Sequence, residues 1–245
     1  MSEFVFKEVD EEGLDVLNVV SEAKSFNEWM YKTVSKHCSG SILEIGSGIG
    51  NISEQFLKNG FNLTVSDIRD NYCGYLEKNL KHFPNLQGIV KMDLTDPEFD
   101  TKFAHLLGTF DAVFAMNVVE HILDDKLALA NAKKLLKQGG KCIILVPAYQ
   151  FLYNKFDKEL EHYRRYTQKS LNKIFLENDY KIVHNQYFNL AGIPGWYVSG
   201  KLQGNKTIPA GQMKLYDLLV PIFKLADLLT FNTMGLSVIT VGQKK

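Results

Sequence analysis

The 245-residue sequence is poor in cysteine, has no net charge, and contains no long apolar run. Its three cysteines, Cys38, Cys73 and Cys142, are too few and too scattered for a disulfide framework or a zinc site, so no metal is expected. Cys142 opens the apolar run Cys142-Ile143-Ile144-Leu145-Val146 and reads as a small core residue. Lysine plus arginine number 28, as do aspartate plus glutamate. That balance argues against a protein built to grip a phosphate backbone, and no nucleic-acid partner is expected. No segment reaches the ~18 uncharged apolar residues that cross a bilayer. The nearest, Leu215 to Phe231, is interrupted by Asp217, Pro221, Lys224 and Asp227, which leaves peripheral membrane contact as its most intimate option. The opening Met1 to Glu8 lacks the basic-then-apolar order of a secretory signal, so a cytoplasmic setting is expected. Repeats and low-complexity tracts are also missing.

What is present is an alternation of strand-like and helix-like segments from Ser41 to Ala148, the pattern of a parallel sheet wrapped by helices. Strands are expected at Ile42 to Ile45, Leu63 to Ser66, Ile89 to Asp93, Phe110 to Met116 and Cys142 to Val146. Asp124 or Asp125 caps a helix whose Ala128, Ala132, Leu135 and Leu136 share a face, with Gly139-Gly140 as its stop. After Ala148 come an aromatic and charged segment, a helix capped by Thr167, and a strand from Lys181 to Tyr187. An amphipathic helix from Met213 to Leu229 precedes a last strand, Leu236 to Val241. The expected architecture is one α/β domain with a Rossmann-like, seven-stranded, mostly parallel sheet and helices on both faces. Residues 1–40 form an N-terminal helical cap, 41–148 a ligand-binding core, and 149–245 a second half. That half carries an inserted helical cap, at about 188–234, between the last two strands.

The most informative segment is Leu43-Glu44-Ile45-Gly46-Ser47-Gly48-Ile49-Gly50. Glycines at a strand-to-helix turn allow positive φ and close ligand approach, and this turn lies at the carboxyl edge of the sheet, where ligands bind. The glycines alternate at 46, 48 and 50, unlike the Gly-x-Gly-x-x-Gly dinucleotide fingerprint. Glu44 would repel a pyrophosphate and suit a cationic ligand. Asp67 ends the second strand, where a carboxylate can accept bonds from two ribose hydroxyls. Asp93 ends the third, where it can accept from an exocyclic amine.

These residues, with Asp93-Leu94, Phe110-Asp111-Ala112-Val113 leading to Asn117, Val119-Glu120-His121-Ile122, and Leu136-Lys137-Gln138-Gly139-Gly140, resemble the class I S-adenosylmethionine-dependent methyltransferases over residues 26–148. The resemblance implies that Glu44, Gly46, Ser47, Gly48 and Gly50 support the amino-acid moiety of S-adenosylmethionine. It implies that Asp67 with Ile68 holds the ribose, that Asp93 with Leu94 frames adenine, and that Asn117 borders the reacting methyl. Asn27-x-Trp29 fits an N-terminal helix that closes over the cofactor.

The acceptor pocket is expected beyond the fourth and fifth strands. His121 and His162 are the candidate bases, since imidazole accepts a proton near neutral pH. Arg164 and Arg165, flanked by Tyr166, would recognise a carboxylate or phosphate, and Tyr149 and Trp196 would line the acceptor. The order Leu152-Tyr153, Asp157, His162-Tyr163-Arg164-Arg165-Tyr166 is similar to a bacterial branch of these enzymes found beside glycosyltransferases. The expected reaction moves a methyl to an O or N atom of a small-molecule or lipid- or sugar-linked acceptor, by a monomer or homodimer. The alternatives are a nucleic-acid methyltransferase and a non-catalytic cofactor-binding protein on the same fold. The former lacks its Asn/Asp-Pro-Pro-Tyr signature, with Asn117-Val118-Val119-Glu120 in that place.

Overall fold

Alternating burial along the strands generates two apolar layers. In the computed structural model, which describes residues 11–202 and 210–245, β1 (Ser41–Ile45) sends Leu43 and Ile45 to one face and Ile42 to the other. β4 (Phe110–Met116) and β5 (Leu136–Pro147) do the same, with Val113, Ala115, Cys142 and Ile144 against Ala112, Phe114, Ile143 and Leu145. A strand period of two therefore feeds a core on each side of one sheet. With β2 (Asn62–Asp67), β3 (Leu86–Lys91), β6 (Tyr180–Phe188) and β7 (Ser237–Lys244), the sheet has seven strands in the order β3-β2-β1-β4-β5-β7-β6. The pairs from β3 to β5 are parallel, and β7 runs antiparallel to both β5 and β6.

The helices are α1 (Glu11–Ser21), α2 (Lys24–Ser35), α3 (Asn51–Lys58), α4 (Asp70–Leu80), α5 (Phe99–Lys102), α6 (Asp125–Leu135), α7 (Lys155–Glu159), α8 (Gln168–Glu177), α9 (Gly192–Trp196) and α10 (Ala210–Leu229). Met30, Phe56, Leu76 and Val220 from α2, α3, α4 and α10 fill one layer. Phe99, Leu129, Leu135, Leu171 and Phe175 from α5, α6 and α8 fill the other. Asp124 caps α6 by accepting the Leu127 N–H at 2.8 Å, and Thr167 caps α8 in a reciprocal pair with Ser170.

Two boundaries differ from expectation. Gly139-Gly140 does not stop a helix: α6 ends at Leu135, and the glycines sit in a bulge where the β4–β5 register jumps from Phe110↔Leu136 to Ala112↔Lys141. β3 ends at Lys91, although the Met92 N–H still reaches the Asp67 carbonyl at 2.9 Å. Helices α9 and α10 lie between β6 and β7. Residues 1–10 of the expected cap and 203–209 of the expected insertion lie outside the described residues.

Candidate active site

The carboxyl ends of β3, β2, β1 and β4 lie side by side, so the glycine turn, Asp67, Asp93 and Asn117 share one sheet edge. A Cβ on Gly46 would collide with Val118 after β4, and Gly46 has φ +68°. Gly48, at φ +55°, lies directly beneath Leu17 of α1, whose carbonyl accepts from Asn51 Nδ2 at 3.1 Å. The turn is thus clasped between β4 and an N-terminal helix. Ser47 donates its N–H to the Ser66 carbonyl at 2.8 Å, and its Oγ accepts the Ser66 N–H at 3.3 Å.

Beneath this turn the Glu44 side chain is buried and accepts from the Ser53 hydroxyl. Burial pushes its carboxyl up to about 7, against the Ser53 and Ser47 hydroxyls, and the charge of Asp67 adds to the rise. Asp67 Oδ2 accepts the Gly48 N–H at 3.0 Å and Oδ1 accepts the Arg69 N–H at 3.1 Å. Burial raises this carboxyl too, while those N–H groups oppose it. Ile68 follows, half-buried. Asp93 Oδ1 accepts from the N–H and the hydroxyl of Thr95, both at 2.7 Å. Leu94 packs into the core, its carbonyl accepting from Asn131 Nδ2 at 2.8 Å, and so offers backbone in place of side chain. Asn117 is exposed at φ +54° and donates its N–H to the Leu145 carbonyl at 2.8 Å.

The donor set suits S-adenosylmethionine. Buried carboxyls under a glycine turn match a cationic amino-acid end, and an acid at the end of β2 matches vicinal hydroxyls.

Just beyond β4, a 3-10 turn, Val119–His121, carries His121. Its ring meets His162 edge-on, with centroids 4.5 Å apart and planes at 86°. His121 keeps part of its surface exposed while protein surrounds the rest. That enclosure, with His162 and the Arg69 charge acting in the same sense, holds its basicity well below the ordinary histidine range, against the Leu160 carbonyl. His162 is buried and also less basic than usual, because desolvation outweighs Asp157. Its Nδ1 lies 2.9 Å from Asp157 Oδ1, which also accepts from Arg165 Nε at 2.7 Å, so neutral His162 carries its proton on Nδ1.

Sequence reasoning gave no role to Asp157 or Glu120. Asp157 is fully buried, and its Oδ2 accepts the Asn154 N–H at 2.9 Å, completing the cap of α7. Glu120 is also fully buried, and neither carboxyl oxygen has a hydrogen-bond partner among the described residues. Burial pushes it up to about 8, with its own N–H and Arg165 opposing and Asp157 adding to the rise. The spacing Asp157-x4-His162-x2-Arg165 was the available signal for this cluster. Glu120, His121 and His162 each place one ligand atom within 4.8 Å of the others. The Arg165 and Arg69 charges bear on these same groups and oppose a divalent ion there.

The expected acceptor residues divide. Arg165 is buried, bonded to Asp157 and to the Ala148 carbonyl at 3.2 Å, with its guanidinium 4.6 Å from the Trp196 ring. Trp196 also stacks on Phe156 at 5.0 Å and donates to the Leu152 carbonyl at 3.3 Å. Tyr166 is buried and donates its hydroxyl to Asp125 Oδ2 at 2.8 Å, where Arg164 Nη1 also lands at 2.6 Å. Arg164 Nη2 reaches the Leu123 carbonyl at 2.8 Å. Arg164, Arg165 and Tyr166 thus have polar groups engaged by Asp125, Asp157 and backbone carbonyls, with Arg165 and Tyr166 buried and Arg164 half-buried. Tyr149 stays half-buried at φ +63°, stacked on Tyr187 at 5.0 Å beside exposed Phe151.

A doubly wound sheet with a glycine turn and strand-end acids defines a protein that binds a nucleoside cofactor at its carboxyl edge. The methyltransferase domain model matches residues 11–185, and the chain belongs to that family, which uses S-adenosylmethionine. It is 32% identical over 111 residues to the hybrid PKS-NRPS synthetase pvhA of Talaromyces variabilis, covering 44% of this chain and 3% of that protein. It is 27% identical over 103 residues to the ubiquinone biosynthesis O-methyltransferase of Xanthomonas oryzae pv. oryzae, covering 42% of this chain and 41% of that one. The matched regions thus span less than half the length of these curated relatives. A SAM-dependent methyltransferase from Archaeoglobus fulgidus shares the fold, with TM-score 0.60, 17% identity, and coverage of 91% of this chain and 94% of that one.

Proposed function

We propose that the protein transfers the methyl group of S-adenosylmethionine to an O or N atom of a small-molecule or lipid- or sugar-linked acceptor that enters beside His121. The observation that carries this reading is an exposed imidazole of lowered basicity just beyond β4, whose carboxyl end shares the sheet edge with the glycine turn, packed against His162, which Asp157 holds in place. S-adenosylmethionine supplies a methyl on a positively charged sulfur, so the protein's tasks are alignment, exclusion of water and removal of the acceptor's proton.

Glu44, Gly46, Ser47, Gly48 and Gly50 would hold the amino-acid end, Asp67 and Ile68 the ribose, Asp93 and Leu94 the adenine, and Asn117 the edge nearest the methyl. A depressed basicity keeps His121 unprotonated at neutral pH, ready to accept the acceptor's proton at its imidazole. His162, fixed through Nδ1, is a positioning residue for that ring. Tyr149 and Phe151 offer the aromatic wall for the acceptor.

Calorimetry tests the cofactor half. S-adenosylmethionine and its demethylated product should bind and NAD should not, and Asp67→Ala should weaken binding by about 1–3 kcal/mol. His121→Ala should bind the cofactor normally and transfer methyl ~100-fold or more slowly. Equal NAD binding, or full turnover by His121→Ala, would refute the respective half.

A further inference from the structure

Helix α10 is only half used by the fold. Met213, Val220 and Asp227 face inward, while Leu215, Leu218, Ile222, Leu225 and Leu229 recur every three or four residues on the outside. Leu218 is 75% exposed, and Phe231 just beyond the helix is 84% exposed. The row is a contiguous apolar stripe of the size that often marks an interaction site.

The acids of α10 are turned away from that row. Asp217 Oδ1 accepts the Phe26 N–H at 2.8 Å, and Asp227 accepts the N–H groups of Asn189 and Leu190 at 2.6 and 2.7 Å. Among the described residues, the charges flanking the row are Lys214, in a long 3.6 Å contact with Glu22, and Lys224, which acts on Glu28. Leucines with lysines beside them, and acids folded inward, are the makeup of a helix that lies in a lipid headgroup layer.

A second copy of the chain is the rival occupant, and two facts disfavour it. At about 1.5 Å per residue the helix is ~30 Å long, so a stripe ~10 Å wide offers ~300 Å², short of the ~800 Å² each partner gives a stable interface. Pro221 also interrupts the backbone ladder midway along the row, where a coiled-coil seam needs continuity.

We infer that the outer face of α10, extended by Phe231, docks the protein on an anionic bilayer surface. The location gives this consequence. Helix α10 meets α2 through Phe26 and Tyr216, whose rings are 5.7 Å apart, and the turn after α1 through Lys214 and Glu22, and Leu17 of α1 lies over the glycine turn. Docking would place the lipid surface beside the elements that close the cofactor site.

The test is co-sedimentation of the full chain with phosphatidylcholine vesicles, with and without phosphatidylglycerol. Partition onto the anionic vesicles is expected, with Leu218→Glu/Ile222→Glu lowering it by at least about tenfold. Leu218→Ser, a milder change at an exposed position, should lower it in the same direction. Lys224→Glu should remove the preference for phosphatidylglycerol. Wild-type protein that stays in solution with both vesicles overturns the inference, as does an unchanged Leu218→Glu/Ile222→Glu variant. A dimer that those substitutions convert to monomer, without vesicle binding, assigns the row to a second copy instead. S-adenosylmethionine calorimetry on the same samples reports on the cofactor reading separately.

Discussion

A carboxyl placed inside protein without a partner keeps its proton, and Glu120 is held that way beside His162 and Arg165. Its ordinary value of 4.5 rises to about 8 in the folded chain, so the folded state binds the extra proton. The stability it contributes is full below 4.5 and is lost as pH rises through about 8. Glu44, raised to about 7, acts in the same sense. His37, lowered from 6.5 to about 4, acts in the opposite sense within that lower window. From pH 6.5 to 8 the carboxyls therefore dominate, and the melting temperature should fall. Glu120→Gln, neutral throughout, should flatten that fall in a series of thermal scans; an unchanged slope would assign it elsewhere. Arg165 is buried and charged, and Arg165→Ala leaves Asp157 with one fewer donor. A loss of about 3–5 kcal/mol in denaturant unfolding is expected. Replacing the exposed Lys102, paired with Asp96 on the surface, should leave denaturant unfolding nearly unchanged. A small loss at Arg165 would return it to the acceptor site.

At the scale of elements, what the sequence disclosed depended on whether a signal had one structural meaning. Thr167 and Asp124 were legible as caps because a hydroxyl or carboxylate before an apolar-periodic run has one use. The glycine pair 139–140 was not, because paired glycines serve a helix stop and a bulge equally well, and only the β4 register decides between them. The partners of the adjacent arginines were illegible for a similar reason. Their sequence shows a forked cation, but their partners, Asp157 and Asp125, are brought by other turns of chain. The glycine turn was legible in place and geometry, while the close approach of Val118 was not. Gly46→Ala tests that approach. The new methyl meets Val118 at a backbone angle that side chains disfavour, so a loss of about 1–3 kcal/mol and weakened S-adenosylmethionine binding are expected. Gly60→Ala, also at positive φ but with open space around it, should cost only the backbone penalty, roughly 1 kcal/mol. Equal losses at the two positions would show that packing against Val118 contributes nothing.

At the scale of the whole molecule, the runs of apolar residues announced the parallel half of the sheet, since each crossover helix stands next to its strands in sequence. They did not announce that β7, last in the chain, pairs between β5 and β6. Strand partners separated by such distances leave no local trace, and only the full burial of Val238 to Val241 betrays a central position. This wedge has a consequence for how the molecule opens. β4, β5 and β7 each have a strand on both sides and apolar layers above and below, whereas β3 and β6 are edges. Helix α1 contributes no residue to either buried core cluster and touches the site through Leu17. Local opening takes place where few apolar contacts must be broken, so amide exchange should order the elements by this geometry. In a hydrogen-exchange time course, amides of β4, β5 and β7 should exchange last and together, including those of Val238 to Val241 at the far end of the chain. Amides of α1 should exchange first, and adding S-adenosylmethionine should slow α1 and residues 46–50 while leaving β6 nearly unchanged. Early exchange in β7 would mean that it is added late to a sheet already complete at β5, and the central wedge would lose its structural role.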